Sequence, residues 1–137
     1  MRKIIIAGNW KLFKTISEGI ELANGLKREL FNISADDIDI VICPVFTALS
    51  EVGEVVSNSN IYLGAQDAYW QDEGAFTGEV SAKLLKDVGC SYVILGHSER
   101  RQFFSETNDT VNKKIKAVLA HGLTPIVCVG EMLAERE

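Results

Sequence analysis

Histidine is nearly missing from this 137-residue sequence. His97 and His121 stand far apart with no paired spacing, which leaves no zinc site, and no other metal centre, to consider. Cysteine is sparse and odd in number. Cys43, Cys90 and Cys128 sit in or beside apolar segments without a Cys-x-x-Cys pair, the pattern of reduced structural thiols rather than of a disulfide framework. Basic residues are not in excess: 14 Lys and Arg against 19 Asp and Glu give a net charge of −5 and a pI near 5.1, so a nucleic-acid partner is disfavoured. No apolar run approaches the ~20 residues of a membrane span, and Ile4 to Ala7 is shorter than the ~7–15-residue core of a signal peptide. The expectation is a cytoplasmic protein with no membrane association, in which the triplets Asn32-Ile33-Ser34 and Asn108-Asp109-Thr110 match the glycosylation pattern by chance. No glycine-rich nucleotide fingerprint, linker or low-complexity tract is present, so residues 1–137 read as one domain or part of one.

What is present is a repeated alternation. Continuous apolar runs at Ile4–Ala7, Ile40–Cys43, Ile61–Gly64, Tyr92–Leu95 and Ile126–Val129 have the character of parallel strands covered on both faces. Between them lie helical patterns. Ile16, Ile20, Ala23, Leu26 and Leu30 form a stripe of helical period, and Thr15 with Glu18 has the spacing of a capping box. Further helices are expected at about 47–57, 80–88 and 108–121, the last ending at His121-Gly122 with Pro125 beyond, which makes His121 a last-turn residue beside a glycine cap. Strand and helix alternating through short connections imply α/β architecture built of parallel βαβ units. One connection is long, about Gln66 to Gly78. Its Tyr69, Trp70 and Phe76 are too apolar for a solvated tip, so they pack either against something outside their own unit or back on their own chain.

The chemistry-bearing residues fall at strand exits. Gly96-His97-Ser98-Glu99-Arg100-Arg101 follows directly on the fourth apolar run, so an imidazole stands where a buried strand ends and a short helix begins, with Ser98 the expected N-cap. A free backbone N–H of that turn, donating to one ring nitrogen, disfavours the imidazolium and leaves the other nitrogen as a donor. Taken alone, such a histidine reads equally well as one satisfied at a strand end. At the first strand exit, continuing the period of two through Gly8 sends Ala7, Asn9 and Lys11 to one side, and an amide with an ammonium suits an anionic, oxygen-rich small molecule.

Four blocks in register carry a resemblance: Ala7-Gly8-Asn9-Trp10-Lys11, Gly74-Ala75-Phe76-Thr77-Gly78-Glu79-Val80-Ser81, the 96–101 hexapeptide and Cys128-Val129-Gly130-Glu131 resemble the triosephosphate isomerase family in order and approximate spacing. That family is itself the standard example of a neutral histidine electrophile beside a carboxylate base. The resemblance implies a (β/α)8 barrel, typically ~250 residues in eight units, of which this length holds about four and a half. It implies interconversion of dihydroxyacetone phosphate and glyceraldehyde 3-phosphate through an enediol(ate), in glycolysis and gluconeogenesis, with no cofactor. His97 would polarise the carbonyl and shuttle a proton between the two oxygens, Lys11 would supply positive charge, Asn9 would orient the substrate, Glu99 would position Lys11, and Cys128 would stand behind the site. Glu99 has a plainer reading too, as a surface partner of Arg100 or Arg101.

The resemblance also implies that the general base, a glutamate after strand six, lies beyond Glu137 with the lid and the phosphate-gripping loops. In the complete enzyme it implies a homodimer, with the 66–78 loop, Phe76 and Thr77 included, inserted into the partner. Two readings therefore stand: an N-terminal portion of such an isomerase, or a non-catalytic half-barrel that self-associates through unpaired edges and an inner face holding residues such as Ile6, Ile42 and Ile94.

Overall fold

The computed structural model describes residues 2–137; the N-terminal Met1 of the expected domain lies outside them. Five strands, β1 (Ile4–Asn9), β2 (Ile38–Cys43), β3 (Ile61–Ala65), β4 (Cys90–Leu95) and β5 (Thr124–Val127), lie side by side in chain order. All four pairings are parallel, and the sheet curls as half of a (β/α)8 barrel. The crossovers carry α1 (Ile16–Leu30), α2 (Leu49–Val56, after a 3-10 turn at Phe46–Ala48), α3 (Ala82–Val88), and the pair α4 (Ser98–Phe103) and α5 (Asn108–Ala120). A short α6 (Leu133–Arg136) follows β5. Among the described residues no helix is long and apolar enough to cross a membrane.

Local chemistry starts α1 where the sequence says it should. The Thr15 hydroxyl accepts from the Glu18 N–H while the Glu18 carboxylate accepts from the Thr15 N–H at 3.0 Å, a capping box that opens α1. The backbone bond from Thr15 comes first among the causes that hold the Glu18 carboxyl below its ordinary range. Thr107 and Thr110 cap α5 by the same exchange, and α5 ends at His121 with Gly122 beyond it at φ +73°.

The sheet has two apolar faces. Ile40, Ile42, Leu63, Val93 and Leu95 pack outward against Val52, Leu85, Val111 and Val118 of the helices. Fully buried side chains such as Leu85 and Leu95 each contribute roughly 1.5–3 kcal/mol on this face. Val41, Cys43, Tyr92 and Ile94 form the inner face, with Ile126 and Cys128 packed on it.

This division corrects the expected inner face. Ile42 belongs to the helix-side core, and Ile6, which pairs with Ile40, shares that side; of the three isoleucines named, Ile94 alone faces inward. No helix among the described residues covers β1 on its outer side, so Ile4 and Ile6 are more than half exposed. β5 also sits earlier than its apolar run suggested, at Thr124–Val127, because Thr124 and Pro125 already pair with Tyr92 and Val93.

The inner face is tight at one point. A Cβ on Gly64 would lie 2.6 Å from Cys43 Sγ and 3.0 Å from Val41 Cγ1, so the absence of a side chain lets β2 and β4 close over β3. Burial pushes the Cys43 and Cys90 thiols up to about 12, which makes both inert packing residues. At the N-terminal end of this face Asp39 takes the Tyr92 hydroxyl and the Lys3 ammonium, the latter at 2.7 Å.

Candidate active site

The C-terminal ends of the strands gather the residues that the sequence singled out. β1 ends at Asn9, which lies beside Cys43 in the sheet and so shares its inward side. The strand does not continue to Lys11. The Asn9 carboxamide oxygen accepts the Lys11 N–H at 2.9 Å, and Lys11 turns into the left-handed region at φ +54°. Alternation through Asn9 to Lys11, the sequence expectation, therefore fails; a turn closed by an Asn side chain delivers the lysine instead. Its half-exposed ammonium reaches Glu99 Oε1 at 2.8 Å. Arg100 and Arg101, the alternative partners for Glu99, are engaged elsewhere.

His97 is itself the N-cap of α4, and Ser98, expected in that role, is the first helical residue. The cause is geometric: the His97 backbone is extended (ψ 144°) and its Nδ1 accepts the Glu99 N–H at 3.1 Å. A nitrogen that accepts a hydrogen bond holds a lone pair, so the neutral ring carries its proton on Nε2. Glu99 Oε2 stands 3.6 Å from the same Nδ1, beyond hydrogen-bonding reach, and leaves this arrangement intact. Glu99 thus touches the ring with its backbone and the lysine with its carboxylate. The hydrogen bond from Lys11 outweighs a small desolvation cost and holds the Glu99 carboxyl below its ordinary range.

Arg101 fixes the turn ahead of the histidine. Its guanidinium donates to the Gly96 carbonyl at 2.8 Å, the Asn108 carboxamide at 2.9 Å and the Cys128 carbonyl at 3.3 Å, tying the exits of β4 and β5 to the start of α5. Gly96 has φ +70°, and a Cβ there would meet Arg101 Nη2 at 2.9 Å and the Cys128 carbonyl at 3.2 Å. Cys128 lies just past β5; burial raises its thiol while Arg101 pulls the other way. The face above these residues is open, and the adjoining cleft of about 820 Å3 is lined by Gly96, Ser98, Arg101, Asn108 and residues 129–132.

Two features were missed in the sequence. Asp67, Arg100, Glu106 and Lys114 form a charge-balanced quartet behind the site: Arg100 Nε lies 3.2 Å from each of Asp67 and Glu106, and Lys114 Nζ lies 2.9 Å and 2.7 Å from the same two carboxylates. Desolvation raises the Glu106 carboxyl, but hydrogen bonds from Lys114, Thr110 and Arg100 together outweigh it and leave it below its ordinary range. Asp67 and Glu106 lie in connections and Arg100 on the short α4, so only the presence of a lysine on the buried stripe of α5, between Val111 and Val118, carried a signal. The second is Gln66, whose Nε2 donates to the carbonyls of Lys11 and Cys43.

The long loop is held by its own chain. Tyr69 stacks on Trp70 and tilts against Phe76, His121 Nε2 meets Asp72 at 2.7 Å, and Lys83 meets Glu73 at 2.6 Å, while Thr77 stays exposed. Its aromatics touch one another within the loop, and Phe76 keeps 40% of its surface exposed.

A sequence profile described as triosephosphate isomerase matches residues 4–137. The chain is 57% identical over 137 residues to the triosephosphate isomerase of Geotalea uraniireducens and 56% identical over 139 residues to that of Trichlorobacter lovleyi, in each case covering all of this chain and 54% of the relative. It superposes on the crystal structure of triosephosphate isomerase from Bartonella henselae with a TM-score of 0.90 at 36% identity, over 98% of this chain and 55% of that one. The chain therefore spans about half the length of the curated relatives it matches.

Proposed function

Since the chain belongs to the triosephosphate isomerase family, we propose that Asn9, Lys11 and His97 are the electrophilic half of an aldose–ketose isomerase site for triose phosphate. The observation that supports this most is the single carboxylate residue, Glu99, that joins the lysine ammonium to the imidazole across two strand exits. In that reading the His97 Nε2–H points at a substrate carbonyl oxygen and polarises it. Removal of a proton from the adjacent carbon then builds negative charge on oxygen, and His97 moves a proton between the two oxygens of the enediol(ate). Lys11 stabilises the developing charge and the phosphate dianion, where a fixed cation is worth more than in bulk water. Asn9 orients the oxygens, Cys128 backs the imidazole from behind, and no cofactor takes part.

The carbon proton needs a base within hydrogen-bond reach, and the Glu99 carboxylate, 3.6 Å from the His97 ring, is paired with Lys11. The proposal is that the base, the lid and the phosphate grip come from a segment outside these residues. In this reading the complete isomerase works in the cytoplasm, in glycolysis and gluconeogenesis, as a homodimer to which the 66–78 loop contributes Phe76 and Thr77. A coupled assay of the chain alone, and of the chain mixed with the complementary half of a homologous barrel, tests the assignment: turnover appears only in the mixture.

A second reading is favoured by the exposure of Ile4, Ile5, Ile6 and Val127 at the two sheet edges. In it the chain is a non-catalytic half-barrel that self-associates, each Å2 of apolar surface left in water forfeiting about 25 cal/mol. Sedimentation at increasing concentration separates the two, since the second demands a defined oligomer without any partner half.

A further inference from the structure

We propose that Gln66 positions the Lys11 backbone in this site, a role no part of the reaction scheme above assigns. Its carboxamide lies where the exits of β1, β2 and β3 meet. Nε2 donates to the Lys11 carbonyl at 2.8 Å and to the Cys43 carbonyl at 2.9 Å, so both amide hydrogens are used. The two acceptors differ in kind. Cys43 is fully buried in the inner core, and its carbonyl also takes the Trp10 N–H at 3.1 Å, which makes it a fixed point of the sheet. Lys11 is exposed and sits at φ +54°, a conformation that a lysine keeps only where its surroundings over-determine it.

Asn9, the last residue of β1, holds the Lys11 peptide from the N-terminal side through the 2.9 Å bond to its N–H and leaves the Lys11 carbonyl untied. Gln66 holds the C-terminal side from a different strand exit. Beyond Lys11 the next anchor is the capping box at Thr15: Leu12 and Phe13 are largely exposed and Lys14 is again left-handed at φ +78°. With the carbonyl released, the turn loses its tie to the β2 and β3 exits on the C-terminal side of Lys11 and the ammonium its fixed approach to Glu99. Gln66 does not reach the substrate side itself; it acts through Lys11. The inference rests on the reading of Lys11 as a site residue, and its test needs no turnover.

The test is a carboxyl-carbon NMR titration of Glu99 in the 137-residue chain, in Gln66→Leu and in Lys11→Met. In the unmodified chain the lysine holds the Glu99 carboxyl low. Lys11→Met removes the ammonium and sets the full upward displacement. Gln66→Leu is expected to produce roughly half of that displacement or more, since an opposite charge acts only while it is held within about 4–6 Å, and to do so in a folded state with native amide dispersion. A Gln66→Leu titration superimposable on the unmodified one, with Lys11→Met displaced, overturns the inference and leaves the functional reading standing. A Lys11→Met titration that does not move overturns the Lys11–Glu99 pairing, and the functional reading with it. Should Gln66→Leu fail to fold, proton exchange at the Gln66 carboxamide of the unmodified chain decides: slow exchange supports the clamp, and exchange at the rate of a free amide overturns it.

Discussion

His97 and Glu99 are bound by a contact that only their spacing allows: the Glu99 N–H donates to His97 Nδ1 at 3.1 Å, while the Glu99 carboxylate turns to Lys11 at 2.8 Å. One residue sets the ring's tautomer with its backbone and holds the cation with its side chain. The neutral ring is therefore expected to show a pyridine-type Nδ1 and a pyrrole-type Nε2 in nitrogen NMR, and the reverse assignment would break the proposed role of Nε2 as donor. His97→Gln should lower turnover of the completed barrel by about 10²–10⁴-fold, the usual weight of a positioned acid–base group.

Glu99→Gln keeps the backbone bond and loses the carboxylate. The pair is exposed, so the melting temperature should scarcely move. The Glu99 carboxyl is held low, so the wild-type pair survives acidification down to its lowered value and breaks only below it. Anion affinity at the site, measured with inorganic phosphate, should change in the variant and lose its dependence on pH in that acid range.

The buried pair of the quartet, Glu106 and Lys114, carries acid stability. Glu106 is held below its ordinary value of 4.5, so the folded state binds fewer protons than the unfolded one across that interval. Its contribution is present above about the ordinary value and is lost as pH falls through the lowered one. Glu106→Gln should cost roughly 2–4 kcal/mol at neutral pH, by leaving Lys114 buried beside one carboxylate instead of two. Urea unfolding between pH 3 and 7 should then show a shallower acid slope in the variant than in the parent.

Gly64→Ala should destabilise by about 1–3 kcal/mol, the range for overpacking a closed core, because its methyl meets a buried sulfur rather than a flexible side-chain end. Cys43→Ala in the same chain should recover part of that loss, since it removes the sulfur that the methyl strikes; additivity of the two in thermal melts would contradict the contact.

Legibility in the sequence followed physical cause. Strands and the start of α1 were readable because apolar runs and capping pairs are local signals, as at Ile40–Cys43 and at Thr15 with Glu18. The facing of Ile6 and Ile42 was not, since an uninterrupted apolar run in a doubly covered sheet carries no alternation from which to take a side. The turn at Lys11 was hidden because lysine gives no warning of a left-handed backbone, and its closure depends on Gln66 at another strand exit. The Asp67, Arg100, Glu106 and Lys114 quartet was hidden for a related reason: each charge alone resembles a solvated one, and only the crossing of loop, α4 and α5 buries them together. His97, Lys11 and Glu99 stood out because they fall at strand exits, where parallel α/β sheets collect their chemistry.

Triose phosphate turnover by reconstitution tests the proposed site most directly. The 137-residue chain is assayed alone, then with the complementary half of a homologous barrel, then again with Lys11→Met in the first component. No turnover alone, turnover in the mixture, and its loss with Lys11→Met are the expected results. Turnover by the verified chain alone near the rate of a full-length enzyme, or an active mixture carrying Lys11→Met, would contradict the assignment of this site.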